Sequence, residues 1–88
     1  MHFLILTKEN CSYCIKAKKL LNDNKHSYLE LDFSKDTDIE FFKEMGETSF
    51  PIIYQYRKDN TSFNRIGGYN ELEVYLARYN YENEEEIF

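Results

Sequence analysis

The stretch "TKENCSYCIKAKKLL" holds Cys11 and Cys14, the two cysteines of the chain, three positions apart between two different patterns. Behind them runs "HFLIL", a compact apolar segment of strand length. Ahead of them lysines and apolar residues recur at helical spacing. A CxxC at a strand-to-helix junction restricts what a chain can be far more than its composition does. Cys11 falls at the helix N-cap, where unpaired N–H groups and the positive end of the helix dipole favour an anion. A thiolate is that anion, and such a position lowers a cysteine pKa from about 8.5 into the range of about 3.5–7.5. Cys14, one turn further in, is more enclosed and feels less of this field. The asymmetry makes Cys11 the attacking thiol and Cys14 the resolving one.

Magnitudes say what the low pKa serves. At pH 7 a thiol of pKa about 8.5 is about 3 % ionised, so full ionisation gains roughly 30-fold. Nucleophilicity falls with pKa along a Brønsted slope of ~0.4–0.5, which cancels most of that gain. The larger benefit comes when Cys11 is the leaving group, because a stable thiolate departs quickly. The arrangement suits a cycle in which Cys11 takes up a small thiol as a mixed disulfide and is released by a second one. Three other readings compete. A CxxC can be coincidence, and a structural disulfide is unusual in a reducing compartment. A zinc site needs about four ligands, and beyond the two thiols there are only His2 and His26, so no metal is expected.

The 88 residues are enough for one domain with a single core. With 11 basic and 16 acidic residues the net charge is -5, which repels nucleic acid and anionic membranes, so neither is expected as a partner. No apolar run approaches the ~20 residues of a membrane helix. "MHFLILTKEN" lacks the features of a secretory signal, and with one close thiol pair the expected setting is the reducing cytosol.

The remaining pattern predicts β-α-β-α-β-β-α. After the strand at His2–Leu6, a helix from Ser12 to about Asn24 has Ile15, Ala17, Leu20 and Leu21 on its apolar face. "SYLELDF" alternates Tyr28 against Leu29, Leu31 and Phe33 as a second strand. A second helix has Asp36 or Thr37 as N-cap, Ile39, Phe42 and Met45 as its apolar face, and Gly46 as its stop. "PIIYQY", a turn at "RKDNT" and "SFNRI" predict an antiparallel hairpin. "GGYNELEVYLARYNY" closes with a helix whose apolar face is Leu72, Val74 or Tyr75, Leu76 and Tyr79. The expected domain spans residues 1–80, and residues 81–88 are expected as a solvated acidic tail. The architecture is a four-stranded mixed α/β sheet with helices on both faces, its first β-α-β unit parallel.

Three segments together resemble the glutaredoxin family. "KENCSYC" is similar to the family's K-x-x-C-P-Y-C, "TSFP" to its T-V-P segment and "IGGYNEL" to its G-G-x-x-D-L segment, in the family's order and spacing. The resemblance covers about residues 2–80. It implies a thioredoxin fold and a monomeric, glutathione-dependent oxidoreductase of protein disulfides and glutathione mixed disulfides, active in electron transport and cell redox homeostasis. Ribonucleotide reductase is a family-level expectation among its substrates. Carried onto this chain, the resemblance makes Cys11 the nucleophile that carries glutathione and Cys14 the resolving thiol. Lys8 and Tyr13 would flank the glutathione. Phe50, before a cis Pro51, would pair its backbone with the cysteinyl unit. Tyr69 and Asn70 would hold the γ-glutamyl carboxylate, and Lys43 the glycyl carboxylate. These types suit the ligand, since glutathione offers two carboxylates and an otherwise acidic surface needs cations beside them.

Three departures from the family pattern stand out. Ser12 replaces the usual proline, which restores a backbone N–H and adds a hydroxyl; some glutaredoxins with serine there resemble cluster carriers. A glutathione-ligated [2Fe–2S] scaffold is therefore the alternative reading. Phe50 replaces valine, and Asn70 and Glu71 shift the acidic position of the last motif. A third reading, a redoxin reduced by a flavoprotein reductase, is disfavoured because neither W-C-G-P-C nor any tryptophan is present.

Overall fold

β1 (His2–Thr7) lies inside the sheet and is apolar toward both sides, which is why its sequence is a run and not an alternation. The computed structural model describes residues 2–57 and 62–87. Around β1 the elements follow as α1 (Ser12–Asp23), β2 (Ser27–Asp32), α2 (Asp36–Glu44), β3 (Ile52–Tyr56), β4 (Phe63–Gly67) and α3 (Tyr69–Ile87). The sheet order is β2-β1-β3-β4, with β1 parallel to β2 and antiparallel to β3, and β3 antiparallel to β4. This is the thioredoxin fold. The turn expected at "RKDNT" falls largely outside the described residues.

Alternate residues of β1 feed two different cores. Phe3 and Ile5 point to one face, where they pack with Ala17 and Leu21 of α1, Ile53 of β3, and Leu72 and Leu76 of α3. Leu4 and Leu6 point to the other face, against Phe42 of α2, Ile52, Phe33, Phe50 and Tyr54. The first core is closed by two helices. The second is covered only by α2, nine residues long with Phe42 as its one buried residue.

That thin cover corrects several expectations. Leu29 and Leu31, paired with Leu4 and Leu6, lie on the α2 face and are 59 % and 46 % exposed, because α2 does not reach across the edge strand. Tyr28, on the opposite face, packs against the closed core instead. Met45, the C-cap of α2, is exposed where that helix stops. On α1 the buried stripe is Cys14, Ala17 and Leu21, which leaves Ile15 outside. On α3 the choice between Val74 and Tyr75 falls to Tyr75, with Val74 exposed. The N-cap of α2 is Lys35, with no side-chain bond, so neither Asp36 nor Thr37 caps it; Asp36 and Asp38 sit inside the first turn, where the helix dipole favours them. The final helix runs through the acidic segment expected as a tail, to Ile87.

In β4 one extra residue, Ile66, intervenes where Ile53 pairs with Gly67 and Tyr54 with Arg65. Such a bulge re-aims the side chains on either side of it. Here Ile66 packs on the closed core, while Arg65 reaches the loop that precedes β3.

His26 closes one end of this core, its ring 5.3 Å from that of Phe3 and 5.7 Å from that of Tyr79. Its Nε2 is buried without a hydrogen-bond partner among the described residues. Burial pulls the imidazole below its ordinary value of 6.5. As pH falls through 6.5, the unfolded chain takes up this proton before the folded one does, so stability drops until the folded value is also passed. The urea midpoint of the wild type is therefore expected to fall more between pH 7.5 and pH 5 than that of His26→Leu. Equal falls in the two proteins would show that His26 is not the group responsible.

Candidate active site

The turn after β1 delivers the cysteines. Asn10 is in the left-handed region at φ 56°, a conformation asparagine tolerates better than most residues, and it turns the chain into α1. The Glu9 N–H donates to the Ser34 hydroxyl at 3.1 Å, tying this turn to the segment after β2. Cys11 is the N-cap, with extended backbone at φ −114° and ψ 98°. Its Sγ accepts the Cys14 N–H at 3.1 Å, and its carbonyl accepts the Ile15 N–H at 3.3 Å. A sulfur thus occupies the place where a serine or aspartate oxygen ordinarily caps a helix. No acidic residue stands in the first turn of α1 to offset the helix field. Cys11 and Cys14 are joined as a disulfide with their Cα atoms 5.2 Å apart. Cys11 is 9 % exposed and Cys14 2 %, so an incoming reagent meets Cys11 first.

Two adjoining cavities collect the other expected residues. The larger, of about 560 Å³, is lined by Lys8, Lys43 and Phe50 together with Ile39, Phe42 and Glu47. The smaller, of about 180 Å³, is lined by Tyr13, Pro51, Tyr69 and Asn70, along with Gly68 and Glu71. Ser49 and Phe50 line both, so the two form one groove with Phe50 at its waist. The peptide bond from Phe50 to Pro51 is cis. All seven residues expected to meet a ligand therefore face one groove. The cysteines line neither cavity and connect to the groove through Tyr13, two residues beyond Cys11.

The groove is cationic at one end in an otherwise acidic chain. Neither Lys8 nor Lys43 forms an ion pair among the described residues. The Lys8 ammonium lies 5.7 Å from the centre of the Phe50 ring, and that ring stacks on Phe42 at 3.9 Å. Phenylalanine in place of valine thus supplies a wall continuous with the second core. At the other end, Tyr13 packs against Tyr69 with ring centres 5.8 Å apart, and the Lys16 ammonium lies 4.9 Å from the Tyr13 ring. Burial, helped by the Glu73 carboxylate, raises the Tyr69 phenol above its ordinary value of 10, so it remains a neutral donor.

Two features of the groove were not legible in the sequence. Glu71 turns back so that its Oε1 accepts the Gly68 N–H at 2.9 Å, half of a capping box for α3. The carboxylate of the last motif is thereby committed to its own helix. Glu47 is buried, and its two oxygens accept from Arg65, Oε2 from Nε at 2.8 Å and Oε1 from Nη2 at 2.7 Å. The Arg65 guanidinium holds the Glu47 carboxyl below the ordinary carboxylate value. Nothing in the local sequence pairs residues so far apart, because the β4 bulge and the fold of the 46–51 loop bring them together.

A disulfide-forming CxxC that caps a helix, on a four-stranded mixed sheet flanked by three helices, defines a thiol–disulfide oxidoreductase of the thioredoxin fold. The chain belongs to the glutaredoxin family, whose sequence model matches residues 3–58. It is 36 % identical over 76 residues to glutaredoxin 3 of Escherichia coli, covering 84 % of each chain. It is also 35 % identical over 74 residues to the hybrid peroxiredoxin hyPrx5 of Haemophilus influenzae; the match takes in 83 % of this chain and spans only 28 % of that longer protein. Among solved structures, glutaredoxin 1 from Francisella tularensis, complexed with cacodylate, superposes with a TM-score of 0.71 at 23 % identity, over 89 % of this chain and 94 % of that one. A buckwheat glutaredoxin–glutathione complex superposes with a TM-score of 0.60 at 18 % identity, over 82 % and 64 % of the two chains. At these identities the superpositions establish the fold.

The glycines at the groove's borders are expected to differ in their tolerance of a side chain. Gly46 at φ 87° has nothing within 4 Å of an added Cβ, so Gly46→Ala meets backbone strain alone, about 1–2 kcal/mol. At Gly67, φ 125°, an added Cβ would lie 2.9 Å from Cγ and Oε1 of Glu71. Gly67→Ala is expected to lose more stability in urea denaturation, because it also dislodges the cap of α3. A smaller loss than for Gly46→Ala would contradict the cap.

Proposed function

We propose that this protein reduces glutathione mixed disulfides and protein disulfides with glutathione as the electron source, in a reducing compartment such as the cytosol. The observation that carries this reading is the single groove with two cations at one end that form no ion pair among the described residues, a helix N-terminus at the other, and the turn bearing Cys11 alongside. Glutathione is an extended tripeptide with a carboxylate near each end and a thiol between, and the groove offers a partner for each part. Lys8 and Lys43 supply positive charge for the glycyl carboxylate. The backbone at Phe50 offers hydrogen bonds to the cysteinyl unit. The amides at the start of α3, near Tyr69 and Asn70, suit the γ-glutamyl carboxylate. The buckwheat neighbour is a complex with glutathione, and that protein's ligand supports the same reading here.

The reaction follows from the thiol geometry. With the Cys11–Cys14 disulfide reduced, the Cys11 thiolate attacks the glutathione sulfur of a mixed disulfide, and the substrate thiolate leaves and takes up a proton. Cys11 then holds glutathione through a disulfide. A second glutathione thiolate attacks that glutathione's sulfur, releasing glutathione disulfide and regenerating the Cys11 thiolate. The helix field and the Cys14 N–H stabilise Cys11 as it departs. When the substrate is a protein disulfide, Cys11 becomes linked to the protein, and the Cys14 thiolate attacks Cys11 Sγ to free it. Two glutathiones then reduce the Cys11–Cys14 disulfide.

The two thiols are therefore expected to be unequal. Cys11→Ser should abolish both activities, since serine is not ionised at neutral pH. Cys14→Ser should keep the reduction of a glutathionylated peptide and lose most reduction of a protein disulfide, in assays coupled to glutathione reductase. Equal losses for the two variants with the glutathionylated peptide would sink the division of roles. Turnover with thioredoxin reductase and none with glutathione would sink the proposed electron source.

A further inference from the structure

The wall of the groove, residues 48–51, has a firm anchor on one side. Ile52 and Ile53, which follow it, are buried in β3 and paired to β1. On the other side the chain comes from α2, a short helix with no side-chain N-cap bond and a single buried residue. Its last turn ends at Gly46 in a left-handed conformation. Held by α2 alone, the wall would move with the least secured helix of the fold.

Glu47 is the residue between that helix end and the wall. It lines the larger cavity, yet its carboxylate is turned onto Arg65 of β4 through the two bonds described above, with the Tyr54 hydroxyl donating to Oε2 at 3.5 Å. A forked two-point contact fixes direction as well as distance, which a single hydrogen bond does not. Its partner stands on the far strand of the β3–β4 hairpin, outside α2. Arg65 also neutralises a carboxylate that would otherwise share the cavity with Lys8 and Lys43.

We infer that the Glu47–Arg65 pair is a positioning device for the reaction. It pins the groove wall at Thr48–Pro51 to β4, and it keeps the Glu47 charge from opposing an anionic ligand beside Lys8 and Lys43. The second part rests on the glutathione reading given above; the first part does not. The pair touches neither sulfur, so its loss changes how substrate is held and not how Cys11 reacts.

The experiment uses the full chain and Glu47→Ala, Glu47→Gln, Arg65→Met and the double variant Glu47→Gln/Arg65→Met. With a glutathionylated peptide at saturating glutathione, Glu47→Ala is expected to raise KM about tenfold, the scale of losing a charged hydrogen bond. The value of kcat and the Cys11 pKa from an iodoacetamide pH profile stay at the wild-type level. Glu47→Gln keeps one acceptor for Arg65 and should fall between wild type and alanine. Arg65→Met leaves the Glu47 carboxylate beside the cavity without its counter-charge, the Tyr54 hydroxyl alone bonding it, so its KM should exceed that of the double variant. Nitrogen-15 relaxation supplies a readout that needs no glutathione. In Glu47→Ala the order parameters of Thr48, Ser49 and Phe50 should fall from about 0.85 toward 0.6, while those of α1 hold. Should Glu47→Ala not fold, Glu47→Gln carries both measurements. Unchanged order parameters, or a loss confined to kcat, would overturn the pinning of the wall. An Arg65→Met KM no higher than that of the double variant would overturn the charge argument. A wild-type protein inactive toward glutathionylated peptide would remove the glutathione reading and leave the relaxation result to decide the clamp.

Discussion

The contact between the Cys14 N–H and the Cys11 sulfur is small, yet the rest of the molecule is arranged around it. It sets the Cys11 sulfur at the N-terminus of α1, the position with the most unpaired N–H groups and the strongest local positive field. Keeping the sulfur there requires that α1 not shift or rotate. Cys14, Ala17 and Leu21, at i, i+3 and i+7, fix the rotation as one buried stripe, of which Ala17 and Leu21 join the core of Phe3, Ile5, Ile53, Leu72 and Leu76. The same helix residue therefore serves chemistry and packing. Cys14 is the resolving thiol of the proposed cycle and the first residue of the buried stripe.

The two faces of the sheet divide the work. The face under α1 and α3 is a closed core whose buried residues are, Phe3 apart, aliphatic, and it supports the helix that Cys11 caps. The face under α2 is thinner and largely aromatic, and it carries the groove. Phe42 stacks on Phe50 at 3.9 Å, and Phe33 meets Phe41, Phe42 and Phe50 with ring centres 5.9–6.5 Å apart. A chain with 15 aromatic residues and no tryptophan uses several of them here, where large flat rings cover area that a nine-residue helix leaves open.

Charge is handled locally. A net charge of -5 would oppose an anionic ligand if the acids stood near the groove unengaged. Glu30 is bound by the Thr7 hydroxyl and Lys18, Asp23 by Lys19, Glu47 by Arg65, and Glu71 by the Gly68 N–H. Of these, the contact of Glu30 with Thr7 and the pairing of Glu47 with Arg65 hold their carboxyls below the ordinary value. Lys8 and Lys43 are left to act on whatever enters the groove.

How much of this could be read from the residues follows the range of the forces involved. Order and type of the elements, the parallel β1–α1–β2 unit and the capping position of Cys11 are short-range matters of periodicity, turn residues and helix ends. They were legible, as was the sharing of Lys8, Tyr13, Phe50, Pro51, Tyr69 and Asn70 by one groove, because three motifs of a known family carried those positions; Lys43 lies outside the motifs and was placed by its spacing, eight residues before Pro51. What periodicity could not tell is which side of an amphipathic element finds a partner. Leu29 and Leu31 are as apolar as any core residue, and they are exposed because α2 is too short to cover them; Met45, the C-cap of α2, is exposed where that helix stops. Tyr75 rather than Val74 turns inward because α3 must present one face to a core already set by β1 and α1. The Glu47–Arg65 pair exists only once the bulge in β4 and the 46–51 loop meet. The sequence by itself determined where the thiols stand on their helix, since capping is decided within a few residues. Only the tertiary structure decided what surrounds them, since burial and ion pairing depend on distances the chain acquires when its strands pair.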